Sequence, residues 1–228
     1  MKIAIIGYGK MGHAVEAMAV ERGHSVVCTI DNPQEMSEKQ ALLKSADVAI
    51  EFTTPATAVG NIRGCFEAGV PVVCGTTGWL DAYDAVADEC RACGGAMLTA
   101  SNFSIGMNIM FALNERLAEL MRGRDDYRVT LSETHHIHKL DAPSGTAIVL
   151  RQAIRERLPQ QEAPIESFRV GEVPGTHIVR YDSEIDTITL THEAHSRRGL
   201  AQGALLAAEW LCGRKGVFTM KDLLDNAS

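Results

Sequence analysis

The 228-residue chain has no apolar run of membrane length. Its first apolar stretch covers residues 3–6 and ends at Gly7, too short for a secretory leader or a span. It also lacks an excess of positive charge. There are 22 Lys and Arg against 29 Asp and Glu, giving a formal net charge of −7 and a pI near 5.6. That excludes the global basic footprint of a nucleic-acid binder, so any attraction for an anion has to be local. Neither nucleic acid nor membrane is expected as a partner. A disulfide framework is missing too: the six cysteines, at positions 28, 65, 74, 90, 93 and 212, follow no framework spacing. Cys28 and Cys74 lie in strand-like apolar runs, where cysteine acts as a small hydrophobe. A reduced, cytoplasmic protein is expected. The one C-x-x-C, Cys90 and Cys93 in DECRACGG, has no second pair to complete a zinc site and reads as a helix end capped by Gly94. There is no internal repeat, low-complexity tract or disordered linker.

What is present is a core's worth of hydrophobic residues, 46 %, enough for one large domain or two small ones. The first half alternates. Short apolar runs KIAIIG, SVVCTI, DVAIEF, VPVVCG and AMLTA read as strands. Between them KMGHAVEAMAVERG, PQEMSEKQALLKSA, PATAVGNIRGCFEAG and LDAYDAVADECRACG read as helices. Asn32 and Pro33 suit the N-cap and first position of the second helix, and Gly69 ends the third. Strands separated by single helices predict an α/β fold with a Rossmann-type parallel sheet. The second half changes character. A helix is expected over residues 105–121, and others over 144–158 and 199–212. YRVTLSET, IESFRVG, GTHIVRY and DTITLTHEA alternate apolar and polar residues, as strands with one solvated face do. This half reads as an α+β unit with a mixed or antiparallel sheet, serving substrate binding or oligomerisation.

Gly7, Tyr8, Gly9, Lys10, Met11 and Gly12 form a G-x-G-x-x-G that follows the first strand and opens the first helix, the context a dinucleotide fingerprint requires. Gly7 permits the tight turn, Gly9 the approach of a pyrophosphate, and Gly12 close packing of the helix. The helix start then presents unpaired N–H groups to the phosphates. Asp31 ends the second strand 19 residues after Gly12, where an acid accepts ribose hydroxyls. It repels a 2′-phosphate, and no cation follows it before Lys39, which favours NADH over NADPH. NADPH stays open through a cation from elsewhere, such as Lys10. Three further loops lie at strand C-termini, where open α/β sheets bind ligands. These are Phe52–Pro55; Gly75, Thr76, Thr77 and Gly78; and Ala100, Ser101, Asn102, Phe103 and Ser104.

The densest chemistry is in SETHHIHKLDAPSGTA, residues 132–147. His136 and His138 on one strand face could pair on zinc, with Asp141 a conceivable third ligand, but no convincing third ligand is near; no resident metal is expected. No G-x-x-x-x-G-K precedes the block, so it is not a phosphate loop. As acid–base equipment it is coherent. Histidine titrates near neutrality and adjacent cations lower the pKa of a neighbouring base. Ser144, Gly145 and Thr146 start a helix and offer N–H groups and hydroxyls to an anion. A cationic run meeting an anion-binding helix end suggests a small carboxylate substrate. Two rival readings share the glycine loop: a different NAD-dependent dehydrogenase, and a non-enzymatic dinucleotide sensor switched by Cys90 and Cys93.

These motifs, GYGKMG, DVAIEFTTP, GTTGW, SNFSIGMN, ETHHIHKLDAPSGTA and GVFTMKDLL, resemble the 4-hydroxy-tetrahydrodipicolinate reductase (dihydrodipicolinate reductase) family over essentially the whole chain. The resemblance implies NAD(P)H-dependent reduction of a small cyclic dicarboxylate in the diaminopimelate and lysine pathway. It implies His135 as proton donor or acceptor, Lys139 as second proton donor, and His136 with Gly145 and Thr146 as carboxylate ligands. Arg197 is a further candidate for that carboxylate. Gly7 to Gly12, Asp31, Gly75 to Thr77 and Ala100 to Phe103 would hold the cofactor. It also implies a homotetramer built through the C-terminal sheets. The last helices would return to the nucleotide domain, giving a dinucleotide-binding domain of residues 1–104 plus about 198–228 and a substrate and oligomerisation domain of 105–197. The chain departs from the family by being short between strands two and three, by lacking the usual basic residue beside the acid, and by carrying Ile137 amid the histidines.

Overall fold

The computed structural model of the protein describes residues 1–196 and 198–226. In chain order, the first elements are β1 (Lys2–Ile6), α1 (Lys10–Glu21), β2 (Ser25–Ile30), α2 (Pro33–Glu38), α3 (Gln40–Leu43), β3 (Val48–Glu51) and α4 (Pro55–Ala68). Next come β4 (Val72–Cys74), a single 3-10 turn at Leu80–Ala82, α5 (Tyr83–Ala92), β5 (Ala96–Thr99), α6 (Ile105–Leu120), β6 (Arg128–His135) and α7 (Gly145–Arg157). The chain ends with β7 (Ile165–Arg169), β8 (Thr176–Asp182), β9 (Thr187–Glu193), α8 (Arg198–Leu211), β10 (Gly216–Phe218) and α9 (Met220–Asp225). Packing divides it into two compact units, Met1–Ser104 with Arg198–Ser228, and Ile105–Arg197.

The first unit is a six-stranded sheet in the order β10-β5-β4-β3-β1-β2, with every pairing parallel. β3 and β4 are buried at every position, as β1 is after Lys2. Apart from the buried Glu51 that ends β3, they read as unbroken apolar runs, the mark of a parallel sheet covered on both faces. Each fully buried Val or Ile contributes roughly 1.5–3 kcal/mol. The order reverses between β1 and β3, so the loops that leave these two strands diverge and open the crevice where such sheets bind ligands. One expectation is corrected here. PQEMSEKQALLKSA is two short helices, not one. The break falls at Lys39, whose ammonium donates to the Thr29 carbonyl at 2.7 Å and to Glu35 at 2.9 Å, drawing the turn back onto β2. β10 and α9 are too short for a period to announce them. α9 does carry a legible capping box, Thr219 with Asp222.

The second unit is a four-stranded mixed sheet, β7-β6-β8-β9, with β6–β7 parallel and the other pairs antiparallel. Its register decides which side chains share a face. Val129 lies opposite Tyr181, Leu131 opposite Val179, and Glu133 opposite His177. The apolar four pack with Met107, Met110, Leu150 and Ile154 of α6 and α7. The same face therefore runs from an apolar half to a polar half along β6. The opposite face bears Thr130, Ser132, Ile178, Arg180 and Glu166, which line a cavity of about 340 Å³. Beside it Phe168 is 47 % exposed.

Candidate active site

In the first unit the glycine loop closes against the loop after β3. Gly7 has φ +91°, and a Cβ there would stand 2.0 Å from the Phe52 carbonyl oxygen, so only glycine fits. At Gly12 a Cβ would meet the Gly7 carbonyl at 2.3 Å and Ile5 at 3.3 Å. Around Gly9, by contrast, none of the described residues lies within 4 Å of a notional Cβ. Gly9 is the N-cap of α1 and supplies no side-chain cap, which leaves the first N–H groups of the helix uncapped by side chains beside open space. That geometry fits a pyrophosphate. The Asp31 carboxylate accepts the Tyr8 N–H, tying the acid to the rim of the same loop. Lys39, the first cation after Asp31, is engaged by Glu35 and the Thr29 carbonyl; Lys10 is exposed.

The other strand-end loops are cross-braced. The Thr53 N–H donates to Thr76 Oγ1 at 2.7 Å, the Trp79 indole N–H to the Thr76 carbonyl at 2.8 Å, and the Ala100 N–H to the Cys74 carbonyl at 3.2 Å. A Cβ on Gly75 would enter the Phe52 ring. Thr77 and Ser101 are exposed and Ala100 and Asn102 half-buried. Phe103 is core, with its carbonyl pressed on Gly203, so any ligand contact from it is through backbone. Cys90 is buried and its thiol is pushed up to about 11, first by burial and then by Cys93, so it is a poor redox switch.

In the second unit the polar half of the sheet face gathers the histidine block. β6 ends at His135, which is buried; Nδ1 lies 2.9 Å from Glu133 Oε2. The contact is close but not collinear, so it is electrostatic before it is a hydrogen bond. Glu133 is wholly buried. Its Oε1 accepts the Ser144 N–H at 3.1 Å and Arg169 Nη2 at 3.2 Å. Burial alone would raise the Glu133 carboxyl. Hydrogen bonds from Ser144, Ser167 and Arg169 outweigh it and hold the group down at about 2. Burial lowers His135, against the upward pull of Glu133, and lowers His177 to about 4, with His135 adding to the effect. Burial thus favours the neutral form of both rings.

Ser144 is the N-cap of α7. Its hydroxyl accepts the Ala147 N–H at 3.2 Å and lies 3.2 Å from His177 Nε2. The Ser144 side chain is thus turned inward and builds the site, while Gly145 is exposed and Thr146 half-buried at the helix start. Lys139 Nζ contacts both oxygens of Asp141, at 2.7 and 2.9 Å, and the Lys139 ammonium lowers the Asp141 carboxyl. The notion of His136 and His138 on one strand face is corrected: both follow the strand end. Their ring centroids are 6.0 Å apart, and exposed His138 pairs with Glu172 at 3.1 Å. Donor atoms of Glu133, His135 and His177 do fall within 4.8 Å of one another. The Arg169 guanidinium on the same carboxylate opposes a cation there. Arg197 lies outside the described residues.

Glu133, Arg169 and His177 were not singled out from the sequence. A signal was available: Glu133 continues the Val129, Leu131 phase of β6, and His177 leads the Val179, Tyr181 phase of β8. A polar residue at a core phase must find partners or be costly.

A parallel sheet with a glycine loop at its switch point, joined to a sheet unit holding a buried acid–base cluster beside a helix start, defines a class: a dinucleotide-dependent oxidoreductase. Comparison narrows it. Residues 1–103 match the model for the N-terminus of dihydrodipicolinate reductase and residues 106–224 that for its C-terminus. The chain is 45 % identical, over 237 aligned positions, to the 4-hydroxy-tetrahydrodipicolinate reductase of Christiangramia forsetii, covering 99 % of this chain and 98 % of that one. It is 34 % identical to the enzyme of that name from Thiobacillus denitrificans, covering 98 % of each. A solved dipicolinate-bound dihydrodipicolinate reductase from Paenisporosarcina sp. TG-14 shares the fold with a TM-score of 0.79 at 22 % identity, over 96 % of this chain and 97 % of that one. The chain belongs to the dihydrodipicolinate reductase family.

Proposed function

We propose that the protein reduces 4-hydroxy-tetrahydrodipicolinate to tetrahydrodipicolinate with NADH or NADPH, in the diaminopimelate and lysine pathway. The observation that carries this reading is the cluster of His135, Glu133 and Ser144 at the start of α7: a proton-handling ring beside an anion-accepting helix end. Gly7 to Gly12 and Asp31 would hold the cofactor, with Gly75 to Thr77 and Ala100 to Phe103 shaping the nicotinamide end. When bound, the reduced nicotinamide supplies hydride. The substrate is a cyclic imine-type dicarboxylate that loses its 4-hydroxyl. Gly145, Thr146, His136 and Lys139 bind its carboxylates. His135 first takes up a proton from solvent at Nε2 and then delivers it to the reduced ring, and Lys139 is the second donor once its ammonium leaves Asp141 for the substrate. Asp31 and the engagement of Lys39 favour NADH. The reading includes a cytoplasmic homotetramer assembled on the open face of the second sheet, where Phe168 is exposed.

The test follows oxidation of NADH, then NADPH, with freshly prepared 4-hydroxy-tetrahydrodipicolinate. Wild type should turn over. His135→Gln should lose about 10²–10⁴-fold in kcat while NADH affinity stays level. Nucleotide binding without turnover would refute the reading, and an undiminished His135→Gln would remove that side chain from the chemistry.

A further inference from the structure

The sheet register brings Glu133, Ser167, Arg169 and His177 to one face around His135, with Glu133, His135 and His177 buried: Glu133 pairs with Ser167 on β7 and His177 on β8, and His135 pairs with Arg169. We infer that Glu133 is a positioning residue that holds His135 with its proton on Nδ1 and ties that ring to the loop bearing Lys139. The inference deepens the reading of His135 as proton donor and rests on it for its kinetic consequence.

With a carboxylate oxygen 2.9 Å from Nδ1, off the line of its N–H bond, the negative charge favours hydrogen over a lone pair on that nitrogen whether the ring is neutral or charged. Nε2 is left to give and take the mobile proton. Gly175 keeps that atom clear. Its φ is +154°, and a Cβ there would lie 3.0 Å from Nε2. The other Glu133 oxygen works on the loop. It accepts the Ser144 N–H, while Arg169, paired with it, donates from Nε to the Lys139 carbonyl at 3.2 Å and from Nη2 to the Asp141 carbonyl at 2.5 Å. One ion pair therefore fixes both proton-bearing groups and the helix start. The charged and titratable groups around the ring are Glu133 on β6, Lys139 and Asp141 in the loop, Arg169 on β7 and His177 on β8, with His192 opposite His177 on β9. Of these, Glu133 is the strongest that favours the protonated ring. Replacing it by Gln leaves burial unopposed, so the ring sheds its proton at lower pH.

Two measurements decide this. In wild type, 15N histidine NMR should report the Nδ1–H tautomer for neutral His135; an Nε2–H tautomer overturns the inference without any variant. In pH profiles of kcat/KM, Glu133→Gln should move the limb at which the acid is lost down by about half a unit or more, with kcat reduced at least about tenfold and NADH affinity unchanged. Glu133→Asp should keep the limb near its wild-type position. A folded Glu133→Gln enzyme with an unmoved limb overturns the inference. If wild type itself shows no turnover, the functional reading falls, and the tautomer still decides the role of Glu133.

Discussion

Lowering the pH from about 7 to about 5 should destabilise the second unit by about 2 kcal/mol through His177 alone. The ring is 5 % exposed, and burial, helped by His135, lowers its pKa from 6.5 to about 4. In the unfolded chain the group binds a proton below about 6.5; in the folded chain it resists until about 4. Stability is thus fully present above the unfolded value and falls through that window as pH drops, by at most about 1.4 kcal/mol per pH unit. Burial lowers His135 and His192 in the same direction, so the observed slope should be steeper than one proton. Glu133, held at about 2 from an ordinary 4.5, joins only at lower pH. Urea midpoints across this range, for wild type and His177→Gln, read the effect directly. Glutamine offers an amide to the Ser144 hydroxyl without a titrating group, so its slope should be shallower by about one proton. A wild-type midpoint that is flat down to about pH 5, or a His177→Gln slope equal to wild type, would refute the argument.

Ser144→Ala removes an N-cap, worth about 1 kcal/mol, and strips buried His177 of a partner, worth about 1–3 kcal/mol. A loss of about 2–4 kcal/mol is expected in urea unfolding, and a loss below about 1 kcal/mol would show that the hydroxyl is not the cap. Gly7→Ala forces a Cβ against the Phe52 carbonyl and should cut NADH affinity at least about tenfold by calorimetry. Unchanged affinity would take the glycine loop out of the cofactor's path.

The fold class was legible because each half keeps one period: single helices between mostly apolar strands at first, then two-residue alternation. Local features were legible for the same reason. Gly145 does open a helix, and Gly7 does sit at the first strand's end. What escaped was set by pairing between distant segments. Arg169 reaches Glu133 because β7 runs parallel to β6, and His177 reaches it because β8 runs antiparallel, relations no window along the chain displays. The loop histidines were misplaced because β6 stops at His135, three residues before His138. The second helix was split by a contact from Lys39 to a strand carbonyl, which helical period cannot foresee.

The first unit is discontinuous: the chain leaves after Ser104 and rejoins at Arg198. α8 then packs on α1, β3, β4 and β5, β10 forms the sheet edge, and Gly203 seats against the Phe103 carbonyl with no room for a Cβ. On the ribosome this inverts the order of maturation. The uninterrupted middle segment has all its strands before the nucleotide fold has its last helix pair, so the earlier-made half must wait with an open flank while the later-made half finishes. A stop codon between β9 and α8 would therefore yield a chain with all the strands of the second unit and no finished first one, and chaperones would meet the flank of β3, β4 and β5 as the nascent protein's exposed apolar surface.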